Sequence, residues 1–293
     1  MQMIEQRHFT GERALYGQSG FRAVDCVFED GESPVKECKD VELFGCMFRY
    51  KYPIWYSKNV LAEKCTWFDM ARAGVWYCEN VRIETAIIEA PKNFRRCRDL
   101  TLNNVSLPNA AETLWACENV KLNRVVANGD YFGMNCSDVT ADDFMLDGNY
   151  AFDGVKNADI RNARMLTKDA FWNSENVTVR DSFISGEYLG WNSHNLTFEN
   201  CVIESLQGLC YIDNLKMVNC KLINTTLAFE YSSVDAQITS RADSVFNPAS
   251  GCIKASSIGE LIVEKDKVDP SKTKIICRDI AKTSDRPVWL REN

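Results

Sequence analysis

A repeat of about 19 residues dominates this sequence and restricts the folds open to it. A six-residue phrase recurs: a small residue, a charged residue, Asn or Asp, a β-branched residue or Leu, a polar residue and an aliphatic residue. Its Asn or Asp falls at ten positions: Asp40, Asn59, Asn80, Asp99, Asn119, Asp138, Asn157, Asn176, Asn195 and Asn214. The spacings between them are 19, 21, 19, 20, 19, 19, 19, 19 and 19 residues. A fixed short period of this kind is the signature of a repeat architecture.

Each repeat predicts three short strands and leaves no room for a helix. With the Asn or Asp taken as position zero, positions +1 and +3 are apolar around a polar residue, as in Val81 and Ile83. A second alternating pair follows at +6 and +8, such as Cys65 and Trp67, and a shorter pair precedes position zero. Alternation of this kind indicates strands. Three unequal strands per turn, without a six-residue subperiod, favour a right-handed parallel β-helix.

The repeats predict one all-β domain, a single-stranded right-handed parallel β-helix with about 12 turns of about 19 residues. The helix is expected over residues 20–240. Residues 1–19 are expected to form an N-terminal cap, and residues 241–293 degenerate last turns and a C-terminal cap. Caps are expected because a single turn is unstable without stacked neighbours, and open sheet edges need cover.

The column of Asn and Asp at position zero predicts a sharp corner between strands. These two residues adopt the left-handed helical region at low cost, and stacked Asn side chains can hydrogen-bond as a ladder. A second such column at +5 predicts another corner: Asn104, Asp143, Asn162, Asp181, Asn200 and Asn219.

The composition narrows the set of partners. Asp and Glu number 41 against 34 Lys and Arg, a net charge of −7. A negative surface repels phosphate backbones, so we expect no nucleic-acid partner. No apolar run approaches the roughly 18–20 residues of a membrane span, and residues 1–10 lack the pattern of a secretory signal. We therefore expect no membrane association and a cytoplasmic location, while the oligomeric state stays open.

Thirteen cysteines fall mostly in two columns of the repeat. Position −2 holds Cys38, Cys78, Cys97, Cys117 and Cys136, and position +6 holds Cys26, Cys46, Cys65, Cys201 and Cys220. Other repeats carry mostly Ser, Ala, Val or Ile there, which predicts small interior side chains with reduced thiols. Because no C-x-x-C motif occurs and the histidines are His8 and His194, we expect no metal site, and no cofactor is indicated.

The phrase N-V-x-L followed by C-x-F, with three strands per turn, resembles the right-handed parallel β-helices of the pectate-lyase-like superfamily. The whole chain looks like one of its uncharacterised bacterial families of unknown function. Characterised relatives are mostly lyases, hydrolases and esterases acting on acidic polysaccharides, but a fold alone does not transfer an activity. The N-T-D, D-D and G-H-G phrases of polygalacturonase-like hydrolases do not occur in this sequence. A calcium-binding acid cluster with an Arg base, as in pectate lyases, is not apparent either.

The corner nine to twelve residues after position zero carries the candidate site. Its candidate catalytic carboxylates are Asp130, Asp147, Asp169 and Glu187, and its candidate substrate-binding residues are Tyr131, Tyr150, Lys168 and Tyr188. Equivalent positions stack about 5 Å apart, so an acidic edge beside tyrosines is expected. Paired carboxylates suit glycoside hydrolysis, and tyrosine rings suit sugar stacking. The alternative is a solvated column of good turn formers.

Two further columns remain open to interpretation. Five tryptophans share position −4: Trp55, Trp76, Trp115, Trp172 and Trp191. Their parity with position −2 favours an inward orientation, whereas an outward one would form a carbohydrate platform. The outward position +7 is apolar at Met47, Ile87, Val126, Met145, Phe183 and Val202, which indicates a partner or ligand surface or contact with the tail.

Two functions follow from these observations. The favoured one is a scaffold that binds a carbohydrate, as a poly- or oligosaccharide, or another partner without catalysis. The alternative is a carbohydrate-active hydrolase or lyase that uses the carboxylates on the turn edge.

Overall fold

The computed structural model describes residues 1–286. Within that range the chain forms strands, turns and one short 3-10 helix, and it contains no α-helix. None of these residues belongs to a helix long and apolar enough to cross a membrane. The chain divides into two compact units, one from Met1 to Gly148 and one that begins at Asn149. Each is a right-handed parallel β-helix with about 19 residues per turn, which confirms the predicted fold class.

Strands of the first unit follow one another with short turns between them. They are β1 (Gln2–Glu5), β2 (His8–Phe9), β3 (Ser19–Val24), β4 (Val27–Phe28), β5 (Lys39–Phe44), β6 (Met47–Phe48), β7 (Ile54–Trp55), β8 (Lys58–Glu63), β9 (Thr66–Trp67), β10 (Val75–Trp76), β11 (Glu79–Ile88), β12 (Arg98–Leu107), β13 (Glu118–Asn128) and β14 (Ser137–Asp147). Neighbouring turns pair in parallel and in register, so that Val81 lies opposite Leu100 and Ile83 opposite Leu102.

The second unit repeats this pattern. Its elements are β15 (Lys156–Arg161), β16 (Arg164–Leu166), β17 (Glu175–Arg180), β18 (Phe183–Glu187), β19 (His194–Glu199), β20 (Val202–Leu206), β21 (Asp213–Thr226), β22 (Ser233–Ile238), β23 (Arg241–Phe246), β24 (Ser250–Lys254), β25 (Ser257–Ile262), the 3-10 helix Pro270–Lys272, β26 (Thr273–Ile276) and β27 (Ile280–Ser284). Here Val177 pairs with Leu196, and Leu196 pairs in turn with Leu215.

The number of turns matches the repeat count over residues 20–240, but the chain forms about 15 turns rather than the predicted 12, because parallel strands continue at both ends. Over the stretch 20–240 the leading strands are β3, β5, β8, β11, β12, β13 and β14 in the first unit and β15, β17, β19, β21 and β22 in the second. Residues 1–19, expected as a cap, contain β1 and β2, and β1 pairs with β3. After residue 240, β24 pairs with β22 and β26 with β24. The end of the predicted C-terminal segment, 287–293, lies outside the described residues.

Both predicted corner columns are present. Asn176 has a φ of 56° and Asn200 a φ of 54°, both in the left-handed region. The side chains form ladders in which an Asn Nδ2 donates to the Oδ1 of the preceding turn, at 3.0 Å from Asn176 to Asn157. Aspartate lacks this donor, so it fits where a ladder begins: Asp40 accepts from Asn59 at 2.6 Å. The direction of these hydrogen bonds, from each donor to the preceding turn, explains why Asp and Asn are not interchangeable within a column.

The core of each turn is filled by the residues at +1, +3, +6 and +8. In the first unit, position +8 of successive turns forms a stack of rings: Phe9, Phe28, Phe48 and Trp67. Phe48 is fully buried between Phe28 and Trp67. Position +7 points outward as predicted, and Ile87 there is 49% exposed.

Candidate functional site

The five tryptophans at position −4 are half-buried at the surface, so the inward orientation favoured by parity is wrong. The cause is the residue after each tryptophan, which adopts the left-handed conformation. Tyr56 has a φ of 55° and Tyr77 a φ of 58°. Such a residue interrupts the alternation of a strand, so Cys78 is buried although Trp76, two positions before it, lies at the surface.

In the first unit, Trp55 and Trp76 stack face to face on neighbouring turns. The ring centroids of Trp55 and Trp76 are 5.1 Å apart, and the rings are inclined by 6°. The guanidinium of Arg95 lies 4.5 Å from the centroid of Trp76 and 5.0 Å from that of Trp115. We call Trp55, Trp76, Arg95 and Trp115 the covered ladder. Neighbouring side chains cover the faces of its rings, so mainly the ring edges face solvent.

The aromatic side chains of the second unit are arranged differently. We call them the tilted aromatic surface, and its members are Trp172, Tyr188, Trp191, Tyr211 and Tyr231. Trp172 and Trp191 are inclined by 41° at 6.1 Å, and Tyr188 and Trp191 by 75° at 6.2 Å. Trp191 and Tyr211 stack at 4.3 Å, whereas Tyr211 and Tyr231 are inclined by 55° at 5.3 Å. Because most of these rings are inclined to their neighbours, parts of their faces stay open.

Two predicted site residues of the second unit form an ion pair beside this surface. Lys168 Nζ lies 3.0 Å from Glu187 Oε1 on the next turn. The Lys168 backbone N–H donates to Asn149 Oδ1 at 3.1 Å. Glu187 raises the pKa of Lys168, so the ammonium form of the lysine is stabilised.

Asp169 completes this cluster. Its backbone N–H donates to the carbonyl of Glu187 at 2.9 Å, and the residue is only 9% exposed. Burial raises the pKa of Asp169, and the carboxylate of Glu187 raises it further. The backbone carbonyl of Tyr188 accepts a hydrogen bond from the indole N–H of Trp172. The backbone N–H of Tyr150 donates to the carbonyl of Lys168 at 2.9 Å. The structure thus brings five of the eight candidate residues together.

The two candidate carboxylates of the first unit, Asp130 and Asp147, occupy different positions of their turns. Asp147 is the last residue of β14 and pairs with Asn128, whereas Asp130 lies two residues further along its own turn. These two carboxylates therefore do not occupy equivalent positions. Tyr131 has a φ of 60° and is 39% exposed at the corner.

The columns of small residues have a hydrogen-bonding function that the sequence pattern did not reveal. At position −2, Ser57 Oγ accepts the N–H of Cys38 at 3.0 Å and donates to the carbonyl of Val35 at 2.9 Å. Cys136 Sγ replaces such a hydroxyl and accepts the N–H of Cys117 at 3.4 Å. A hydroxyl or thiol here satisfies backbone groups that the corner leaves unpaired.

All thirteen cysteines are free thiols. Burial raises the pKa of Cys38 to about 11 and that of Cys201 to about 12. A buried thiol that stays protonated is a poor nucleophile and a poor metal ligand. Cys38 and Cys201 are therefore structural.

The sequence analysis did not identify Glu230, a buried acidic residue behind the tilted aromatic surface. Glu230 is 8% exposed and accepts the amide of Gln207 at 3.1 Å. Its backbone carbonyl accepts the N–H of Tyr211 at 2.7 Å. Burial raises the pKa of Glu230, and the nearby carboxylate of Glu264 also raises it, while the Gln207 hydrogen bond opposes both. Glu230 lies just past the last Asn of the regular repeat, so no column indicated it.

This carboxyl gives a prediction for the pH dependence of stability. Because its pKa is higher in the folded chain than in the unfolded chain, the folded state holds a proton that the unfolded state has lost. The free energy of unfolding then falls as pH rises through the range above the ordinary glutamate pKa. We expect Glu230→Gln to raise stability at neutral pH and to flatten this fall. Urea denaturation at several pH values measures it, and an unchanged slope would contradict it.

Each unit has a groove on its surface. One of about 530 Å³ crosses the outer face of β5, β8 and β11 in the first unit and is lined by Glu42, Leu61 and Arg82, among others. Another of about 280 Å³ in the second unit is lined by Asn192, Tyr211 and Tyr231, with Asp213 and Ser233. The second groove adjoins the tilted aromatic surface and is the better candidate for a ligand.

A family model described as "Protein of unknown function (DUF3737)" matches residues 2–276. The chain belongs to this family. No curated protein sequence matches the DUF3737 chain. Among residues 1–286 of the DUF3737 chain, no group of three or more His, Cys, Asp or Glu side chains could hold a metal ion.

Several solved structures match the DUF3737 chain at low identity, with TM-scores below 0.5. A mannuronic acid specific polysaccharide family 6 lyase from human gut microbiota is 9% identical, with 98% of this chain and 93% of that chain covered and a TM-score of 0.40. The A-module of the Azotobacter vinelandii mannuronan C-5 epimerase AlgE4 is 10% identical, with coverages of 97% and 87% and a TM-score of 0.28. QnrB1, a plasmid-mediated fluoroquinolone resistance protein, is 13% identical, with coverages of 76% and 92% and a TM-score of 0.25.

Proposed function

We propose that the second unit binds a glycan, without catalysis, on the tilted aromatic surface. The observation that carries this proposal is the inclination of its rings, which is 75° between Tyr188 and Trp191 and 55° between Tyr211 and Tyr231. Sugar rings pack on the faces of aromatic side chains, and an inclined pair leaves face area open. In the covered ladder of the first unit, Trp55 and Trp76 are inclined by only 6°, so this pair does not leave such face area open.

Polar groups beside the rings supply the hydrogen bonds that a glycan needs for orientation. Lys168 and Glu187 lie on one side, with side chains 56% and 34% exposed. Asn192 and Asp213 lie in the groove on the other side. Rings that pack with a few placed polar groups form a typical carbohydrate-binding arrangement.

The test is a pair of truncations. Trp191→Ala and Tyr211→Ala remove stacked rings of the tilted aromatic surface, and Trp76→Ala, in the covered ladder, is the matched control. We expect each of the first two to weaken glycan binding by about tenfold, which corresponds to about 1.4 kcal/mol, and the control to leave it unchanged. Isothermal titration calorimetry with neutral, amino and uronic oligosaccharides measures the affinities.

Two outcomes would overturn this proposal. Binding that Trp76→Ala weakens as much as Trp191→Ala does would move the site away from the second unit. If the protein releases new reducing ends from any of these glycans, and Asp169→Asn abolishes this release, the function is hydrolysis rather than binding. The raised pKa of Asp169 beside the ion-paired Glu187 favours hydrolysis as the second candidate function.

A further inference from the structure

The groove beside β21 and β22 has an aromatic corner. We call it the tyrosine groove, and it is lined by Asn192, Tyr211, Asp213, Tyr231 and Ser233 with two apolar neighbours. The rings of Tyr211 and Tyr231 are 5.3 Å apart and inclined by 55°, so they form two sides of a concavity. Trp191 supports Tyr211 from below at 4.3 Å, and Tyr211 is 38% exposed.

The open side of this corner is acidic. The side chain of Asp213 is 73% exposed, and its Oδ1 accepts the hydroxyl of Ser233 at 3.0 Å, which fixes the carboxylate at the groove. His194 faces the other oxygen at 3.6 Å. In the part of the chain that the structure describes, no Lys or Arg lines the groove. Behind the rings, burial and the carboxyl of Glu230 raise the pKa of Tyr211.

We propose that the tyrosine groove binds the ammonium group of an amino sugar, so that the glycan is a polymer or oligomer of deacetylated hexosamine. Cations are attracted to the faces of tyrosine rings, and Asp213 supplies the matching charge. A uronic acid would instead place a second negative charge beside Asp213. This inference rests on the proposed glycan binding and specifies its ligand class.

The test compares two oligosaccharides that differ in one group. Glucosamine oligomers and their N-acetylated counterparts have the same sugar rings, but only the first carry a cation. We expect the intact protein to bind the amine form at least about tenfold more tightly at mildly acidic pH and constant ionic strength. Asp213→Asn should remove most of this preference, because it weakens the binding of the amine form far more than the binding of the N-acetylated form.

The control variant is Asp235→Asn, an exposed carboxylate on β22 outside the tyrosine groove. It should retain the full preference, which excludes general attraction of a polycation to a negative protein. Equal affinity for the amine and N-acetylated forms would overturn the ammonium site and leave glycan binding in place. Absence of binding to every glycan would overturn both proposals. A preference that survives in Asp213→Asn would place the ammonium elsewhere and overturn this one.

Discussion

Phe48→Ala is expected to lower the free energy of unfolding of the first unit by about 3–5 kcal/mol. Phe48 is fully buried, and its ring lies 4.9 Å from that of Phe28 and 5.0 Å from that of Trp67. Truncation leaves a cavity between two stacked rings, and the strands on either side cannot close it because their spacing is fixed by the ladder of backbone hydrogen bonds. The lost contacts therefore come from both neighbouring turns at once.

Urea denaturation followed by far-UV circular dichroism measures this effect. Ile87→Ala, at an exposed position of the same unit, is the control and should change stability by no more than about 0.5 kcal/mol. Because a solenoid can unfold in segments, hydrogen exchange of β4, β6 and β9 should show the loss locally. A Phe48→Ala variant as stable as the control would mean that the ring stack does not contribute to the core.

The fold could be predicted because some of its corners are visible in the sequence. Asn119 and Asn176 lie at corners where the backbone is left-handed, and Asn adopts that conformation cheaply. Their spacing therefore records the length of a turn. Other corners use Tyr77, Phe94 and Leu114, which are also left-handed but have no such preference. Those corners cannot be recognised in the sequence, and the predicted orientation of the tryptophans was wrong as a consequence.

The spatial grouping of the candidate residues was predicted only in part, for a related reason. Asp130 and Glu187 lie 11 residues after position zero, Asp147 lies nine and Asp169 lies twelve. Grouping them as one corner ignored shifts of one or two residues, which move a side chain to another column. Lys168 and Glu187 did meet, because both occupy the same position of adjacent turns. Glu230 depends on contacts with Gln207 and Glu264, which no repeat pattern encodes.

Asn176→Val is expected to lower the free energy of unfolding by about 2–5 kcal/mol, from two separate causes. Asn176 donates to Asn157 at 3.0 Å and accepts from Asn195 at 2.9 Å, and valine makes neither hydrogen bond. Each such bond contributes about 0.5–1.5 kcal/mol net. In addition, the φ of 56° places a β-branched residue in the left-handed region, at a cost of about 1–2 kcal/mol.

Asn176→Gly separates the two causes, because glycine accepts this φ without strain while also losing the ladder. It should therefore lie between the wild type and Asn176→Val in urea denaturation. Asn176→Asp keeps the acceptor for Asn195 but loses the donor to Asn157, and should cost less than the glycine variant. If valine and glycine cost the same, backbone strain does not matter at this corner. If aspartate costs as much as glycine, the side-chain ladder does not hold adjacent turns together, and the Asn column marks only the geometry of the bend.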